Sequence, residues 1–154
     1  MVKILSLTPL KKLTNNFKCK FMTDELICHI KKLKSERAIV SIRKDKIILV
    51  EIKSNDEVEL EHAEQIIKGI EELSGGKKHP VLILVDKFTL PTSEVREYLA
   101  LPETALYTSA EAYVLTSFSQ KLAGNIYLSF NKPARPTKFF NSEDKAVEWL
   151  KTFL

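Results

Sequence analysis

At 154 residues, 44% apolar and 29% charged, the chain is long enough for one hydrophobic core and needs neither a second domain nor disulfide staples. No apolar run approaches a membrane span, and the stretch from Met1 to Lys12 is too poor in apolar residues for a secretory core, so a cytoplasmic protein with reduced Cys19 and Cys28 is expected. The net charge of +4 is unevenly spread, with +8, −7 and +3 over residues 1–50, 51–111 and 112–154; the basic block lacks interleaved aromatics and any nucleic-acid motif, so no nucleic-acid partner is expected.

Residues 1–35 are read as an amino-terminal extension and 36–154 as the domain. In the extension, Phe17–Phe21 alternates like a short strand. Thr23, Asp24 and Glu25 have the character of a helix start, with Leu26, Ile27, Ile30 and Leu33 at helical spacing and Lys31, Lys32 and Lys34 near the end. An amphipathic helix is therefore predicted over 23–34. Cys28 and His29 are neighbours, but no C-x-x-C or H-x-x-x-H supplies the further ligands a metal needs, and none is expected.

From Arg37 the pattern is plainer. Ala38–Arg43 and Lys46–Lys53 are two β-rich runs around a polar turn at Lys44 and Asp45, which predicts a hairpin. Ser54 to Glu57 offers an S-x-x-E capping box, and Ala63, Ile66, Ile67, Ile70 and Leu73 mark one face of a helix that stops at Ser74-Gly75-Gly76. The acidic residues on its other face are read as solvated, and His62 and His79 are given no role. Pro80 to Val85 is unbroken apolar sequence without alternation, the mark of a strand buried on both faces, and it becomes the central strand.

Pro91–Glu94 opens the next helix, with Val95 and Leu99 inward, and Pro102 interrupts it. Ala110–Thr116 is a further strand. Ser117 caps a helix whose apolar positions Phe118, Leu122, Ile126 and Phe130 recur every four residues, and Gly124 within it predicts close approach of a neighbouring element. Pro133 forbids its continuation. Thr137–Phe140 is a last short strand, and Asn141 or Ser142 caps a final helix that buries Ala146, Val147 and Leu150. The fold class is thus α/β, a mixed sheet of about five strands with helices packed on it, in the order β-β-α-β-α-β-α-β-α.

In open α/β sheets, ligands meet the carboxyl ends of the strands, which directs attention to Asp86 and the loop that follows it. Asp86 is a lone carboxylate expected to accept hydrogen bonds from that loop. Ser117, Ser119 and Lys121 stand at a helix start directly after a strand, where free N–H groups and the helix dipole favour an anion. Asn125 lies one turn on, and Lys132 and Arg135 sit in the following loop with Lys138 just beyond, so these residues are the candidate anion site. Against it, Ser117 is a good cap and exposed lysines are ordinary. No nucleophile elbow, P-loop or dinucleotide fingerprint is present, so no catalytic residue and no cofactor is assigned.

The succession of elements over 37–154 resembles that of STAS domains, the anti-sigma-factor-antagonist fold. In the carboxy-terminal half, Ala112–Ser117, Lys121, Gly124-Asn125, Tyr127-Leu128, Asn131–Pro133, Pro136–Lys138, Phe140, Ala146 and Trp149-Leu150 resemble the signature of a bacterial STAS-like family of unassigned function. The resemblance implies fold far more than activity. It also implies one mechanism. STAS antagonists are phosphorylated at the start of the helix after the third strand, and the nearest positions here are Thr92 and Ser93, although the glycine that follows the acceptor in that family is missing. Helix capping by Thr92 or Ser93 is the plainer reading. The expectation is a non-catalytic protein-interaction or regulatory module with a protein partner and no membrane; the alternative is a small-anion or small-ligand binding domain at the carboxyl ends of the strands. Whether the chain forms a homo-oligomer is left open.

Overall fold

The computed structural model of the protein describes residues 29–34, 37–54 and 56–154. Its first strand, β1, is His29–Lys34, which corrects the expected helix over its second half. The rest of that predicted helix, and the alternating stretch Phe17–Phe21, lie outside the described residues. β1 pairs antiparallel with β2 (Ala38–Arg43). An edge strand offers a full row of N–H and C=O groups, and satisfying them is a tertiary gain that outweighs local helical periodicity.

The predicted hairpin is present. β2 and β3 (Ile48–Ile52) pair with Val40 opposite Val50 and Ile42 opposite Ile48. Lys46 takes a positive φ of 70° to close the turn, and Asp45 holds it by accepting from Arg43 Nη2 at 2.9 Å and from Ile47 N at 3.3 Å.

Glu57–Val58 is a two-residue strand, β4, paired with β6 (Leu90–Pro91), so the S-x-x-E box is not what starts the next helix. Helix α1 (Leu60–Ser74) is capped instead by Glu59, whose backbone N donates to His62 Nδ1 at 3.2 Å, and Gly75 ends it in the left-handed region at φ 60°. His79, at the head of β5 (His79–Val85), places its ring nitrogens 2.8 Å from the Lys46 carbonyl and 3.1 Å from that of Ser74, joining the hairpin turn to the end of α1. After β5 come α2 (Ser93–Ala100), a 3₁₀ turn at Pro102–Ala105, β7 (Thr108–Val114), α3 (Phe118–Ile126) with a π turn at Tyr127–Asn131, β8 (Thr137–Phe140) and α4 (Glu143–Leu150).

The sheet order is β1-β2-β3-β5-β7-β8, with β5 parallel to both neighbours. Each parallel step from β3 to β8 moves in the same direction, and right-handed crossovers then place α1, α2 and α3 on one face. The other face is left to α4, which follows the last strand. The interior agrees with this arrangement. Val81 and Ile83 pack with Val50, Ile70 and Leu73 under α1, while Leu82 packs with Ala110, Ala112, Ala146 and Leu150 under α4. A strand covered on both sides has no polar face, which is why β5 shows no alternation.

Candidate functional site

The carboxyl ends of β5 and β7 are tied together by one side chain that sequence reasoning passed over, Gln120. It is 3% exposed, and its Nε2 donates to the carbonyls of Asp86 at 2.6 Å and Thr89 at 3.1 Å. Its Oε1 accepts from the backbone N of Thr116 at 3.1 Å and of Ser117 at 3.2 Å. All four hydrogen-bonding positions of the amide are therefore used inside the fold. The signal available in the sequence was the position three residues after a capping serine, the place a capping box assigns to Glu or Gln.

Asp86 itself is exposed, and the loop is held by its backbone: Asp86 N donates to the Ile52 carbonyl at 3.1 Å and Thr89 N donates to the Asp86 carbonyl at 3.0 Å. Thr92 is the cap of α2, its hydroxyl accepting from Val95 N at 3.3 Å, and Ser93 is exposed one residue inside the helix.

Of the residues considered for an anion, Ser117 and Arg135 are engaged within the fold. Ser117 Oγ accepts from Gln120 N at 3.2 Å as half of a capping box. Ser119, Lys121, Asn125 and Lys132 are exposed. Arg135 is buried: its Nη2 stands 2.7 Å from Glu111 Oε1, and its Nη1 donates to Thr104 Oγ1 at 2.9 Å. Tyr113 donates from its hydroxyl to Glu111 Oε2 at 3.2 Å. Burial alone would lower the Arg135 pKa, but the facing Glu111 carboxylate outweighs it and holds the guanidinium above its ordinary value. Burial, reinforced by the nearby Glu111 charge, raises the hydroxyl pKa of both Tyr113 and Tyr127. The cluster joins β7 to the loop before β8 and to the 3₁₀ turn at Pro102–Ala105.

Helix α3 packs inward through residues other than its apolar repeat. Its inward positions are Gln120, Gly124 and the following Tyr127, whose hydroxyl donates to the Leu99 carbonyl at 3.1 Å. Gly124 sits against Phe139 of β8, the close approach that the glycine predicted. The apolar repeat faces out: Phe118 is 82% exposed and Phe130 80%, with Leu122 and Ile126 also exposed between them. Phe88, 68% exposed, lies on the loop that Gln120 fastens to the first turn of α3.

Between the sheet and α1, α2 and α3 is a partly open cavity of about 100 Å³, walled by residues such as Val50, Ile83, Ile66, Leu99, Ala123 and Phe139. Its lining is almost wholly apolar. Among the polar groups on its wall, the Gln120 amide is spent in the loop. Thr89 is 1% exposed, and its hydroxyl has no hydrogen-bond partner among the described residues.

Among the described residues no group of three or more His, Cys, Asp or Glu is placed to hold a metal ion. None of their helices is long and apolar enough to cross a membrane. No curated protein matches the chain. Among solved structures, an uncharacterised protein of the DUF3478 family from Shewanella loihica PV-4, described as having a SpoIIAA-like fold, is similar at 18% identity, covering 84% of this chain and 99% of that one with a TM-score of 0.48. Residues 40–154 match the domain of unknown function DUF7793, and the chain belongs to that family.

Proposed function

We propose that the protein is a non-catalytic interaction module that docks a protein partner on the outer face of α3. The observation that carries this reading is the exposure of Phe118 and Phe130, residues 82% and 80% exposed at the two ends of one apolar stripe. Contiguous exposed apolar surface rimmed by polar groups marks interaction sites, and aromatic residues are enriched there. The rim is basic, with Lys87 placing Nζ 5.6 Å from the Phe88 ring and Lys121 and Lys132 exposed nearby in the chain. A partner presenting an apolar patch with acidic neighbours is the complement.

Of the two residues to which the STAS resemblance points, Ser93 is exposed and available to a kinase, and Thr92 is occupied as a cap.

The test is photo-crosslinking in the native host from a reactive residue at position 118, at position 130 and, as a control, at the exposed Glu61 of α1. The reading expects one protein species captured at 118 and 130 and not at 61, and lost when Phe88 and Phe130 are replaced by Asp. Equal capture from all three positions would remove the assignment to α3.

A further inference from the structure

We propose that residues 1–13 dock onto their own domain across the opening of the cavity between α1, α2 and α3, with aliphatic side chains entering the cavity and lysines facing the acidic surface of α1 and α2. The cavity sets the first requirement. Its volume of about 100 Å³ is less than the roughly 150 Å³ of an apolar cavity that admits benzene, so it has room for an aliphatic side chain or two. Ile66, Ile67 and Leu99 on its wall are only half-buried, so it opens to solvent among the helices. The surroundings set the second requirement. Glu61, Glu64, Glu71 and Glu72 of α1 and Glu94 and Glu97 of α2 are exposed, against one exposed lysine on these helices, Lys68. Glu64 and Glu71 stand three residues before and four after Ile67, which puts them beside it on one side of α1. The hydroxyl pKa of Tyr98 in α2 is raised by burial and by the Glu64 charge, so that carboxylate lies on the side of α1 that faces α2. A fitting occupant is therefore both aliphatic and basic.

The amino-terminal stretch is both. Lys3, Lys11 and Lys12 stand among aliphatic residues such as Ile4, Leu5 and Leu7, and no acidic residue occurs before Asp24. The α3 stripe, with Lys87, Lys121 and Lys132 about it, repels such a segment, so charge directs it to α1 and α2 instead. The tether permits this contact. His29, where β1 begins, lies opposite Arg43 beside the hairpin turn, and His79 joins that turn to the Ser74 carbonyl at the end of α1. The segment thus joins the sheet at the foot of the helix it has to reach. Helix α1 has 15 residues and runs about 22 Å, whereas residues 14–28 can span about 50 Å when extended.

The test is paramagnetic broadening in the full chain, with Cys19 and Cys28 replaced by Ser and a nitroxide attached through Ser6→Cys. The amides of Ile67 and Leu99 should broaden, and that of Trp149, which packs on the other side of the sheet, should not. Glu64→Lys combined with Glu71→Lys, both at exposed positions, should remove the effect, as should Leu5→Ser combined with Leu7→Ser. Dilution of the isotope-labelled, nitroxide-bearing chain with plain chain should leave it unchanged, because the contact lies within one molecule. The proposal is overturned if Ile67 is not broadened, if the broadening centres on Phe118, if it survives either pair of substitutions, or if it vanishes on dilution. Phe118→Asp should leave the pattern intact, so this contact and partner docking on α3 stand or fall separately.

Discussion

Arg135 Nη2 lies 2.7 Å from Glu111 Oε1, with only 2% and 4% of the two side chains exposed. The contact is ionic and not fully hydrogen-bonded, since neither Nη2 nor Nε of Arg135 has a well-aligned acceptor among the described residues. Removing one partner strands the other as an uncompensated buried charge. Arg135→Met is therefore expected to cost about 3–5 kcal/mol, whereas the double change Arg135→Met with Glu111→Leu, which removes both charges, should be far milder. Urea unfolding of the wild type and the two variants checks this, and a cost below about 1 kcal/mol for the single change would mean that the pair is solvated.

Gly124 has no room for a side chain. A Cβ there would stand 2.8 Å from Cε2 and 3.0 Å from Cζ of Phe139, a ring that also packs on Tyr113 with centroids 5.5 Å apart. Alanine is worth about 1 kcal/mol in helix propensity over glycine, but overpacking costs about 1–3 kcal/mol. Gly124→Ala should thus lower the melting temperature in the wild type and raise it in a Phe139→Leu background. Equal effects in both backgrounds would show that the ring yields freely.

At the start of α2 the two adjacent hydroxyls are not equivalent. Thr92→Ala should cost about 1 kcal/mol because Val95 N loses its acceptor, and Thr92→Asp should be tolerated, since a carboxylate accepts the same N–H and suits the helix dipole. Ser93→Ala should be neutral. Thermal melts rank the three, and a larger loss at Ser93 than at Thr92 would contradict the observed cap.

Stability should fall in alkali. Tyr113 and Tyr127 have folded-state pKa values raised by burial and by the Glu111 charge, above the ordinary value of about 10 that they regain on unfolding. Below that value both states keep the proton, and the stabilisation is fully present. Above it the unfolded chain releases protons that the folded chain retains, so stability declines as pH rises towards the folded values. Melting curves between pH 8 and about 11 should show the decline, and Tyr113→Phe should flatten it. A melting temperature independent of pH in that window would contradict the burial of these hydroxyls.

On the outer face of α3, stability and binding should separate. Phe118→Asp and Phe130→Asp remove side chains that contribute little to the core, so each is expected to change stability by no more than about 0.5 kcal/mol. A loss of several kcal/mol would mean that the face is covered within the folded chain.

The succession of elements from Arg37 onward was legible in the sequence because the forces that set it are local. Alternation, helical spacing, Gly75 after α1 and the proline in the 102–105 turn each act within a few residues. The unbroken apolar run of β5 also disclosed its central place, since only burial on both faces makes such a run tolerable. Tertiary structure decided the rest. Pairing with β2 made His29–Lys34 a strand where local spacing favoured a helix. Periodicity showed that α3 has an apolar stripe but not which way it faces. That was settled by Gly124 fitting against Phe139 and by Gln120 reaching the loop after β5. Arg135 read as a candidate anion ligand because its partner, Glu111, lies on a strand brought beside it only when β8 pairs with β7. An isolated charge in a chain is solvated by default, and only the assembled fold, by excluding water and supplying the opposite charge, makes it structural.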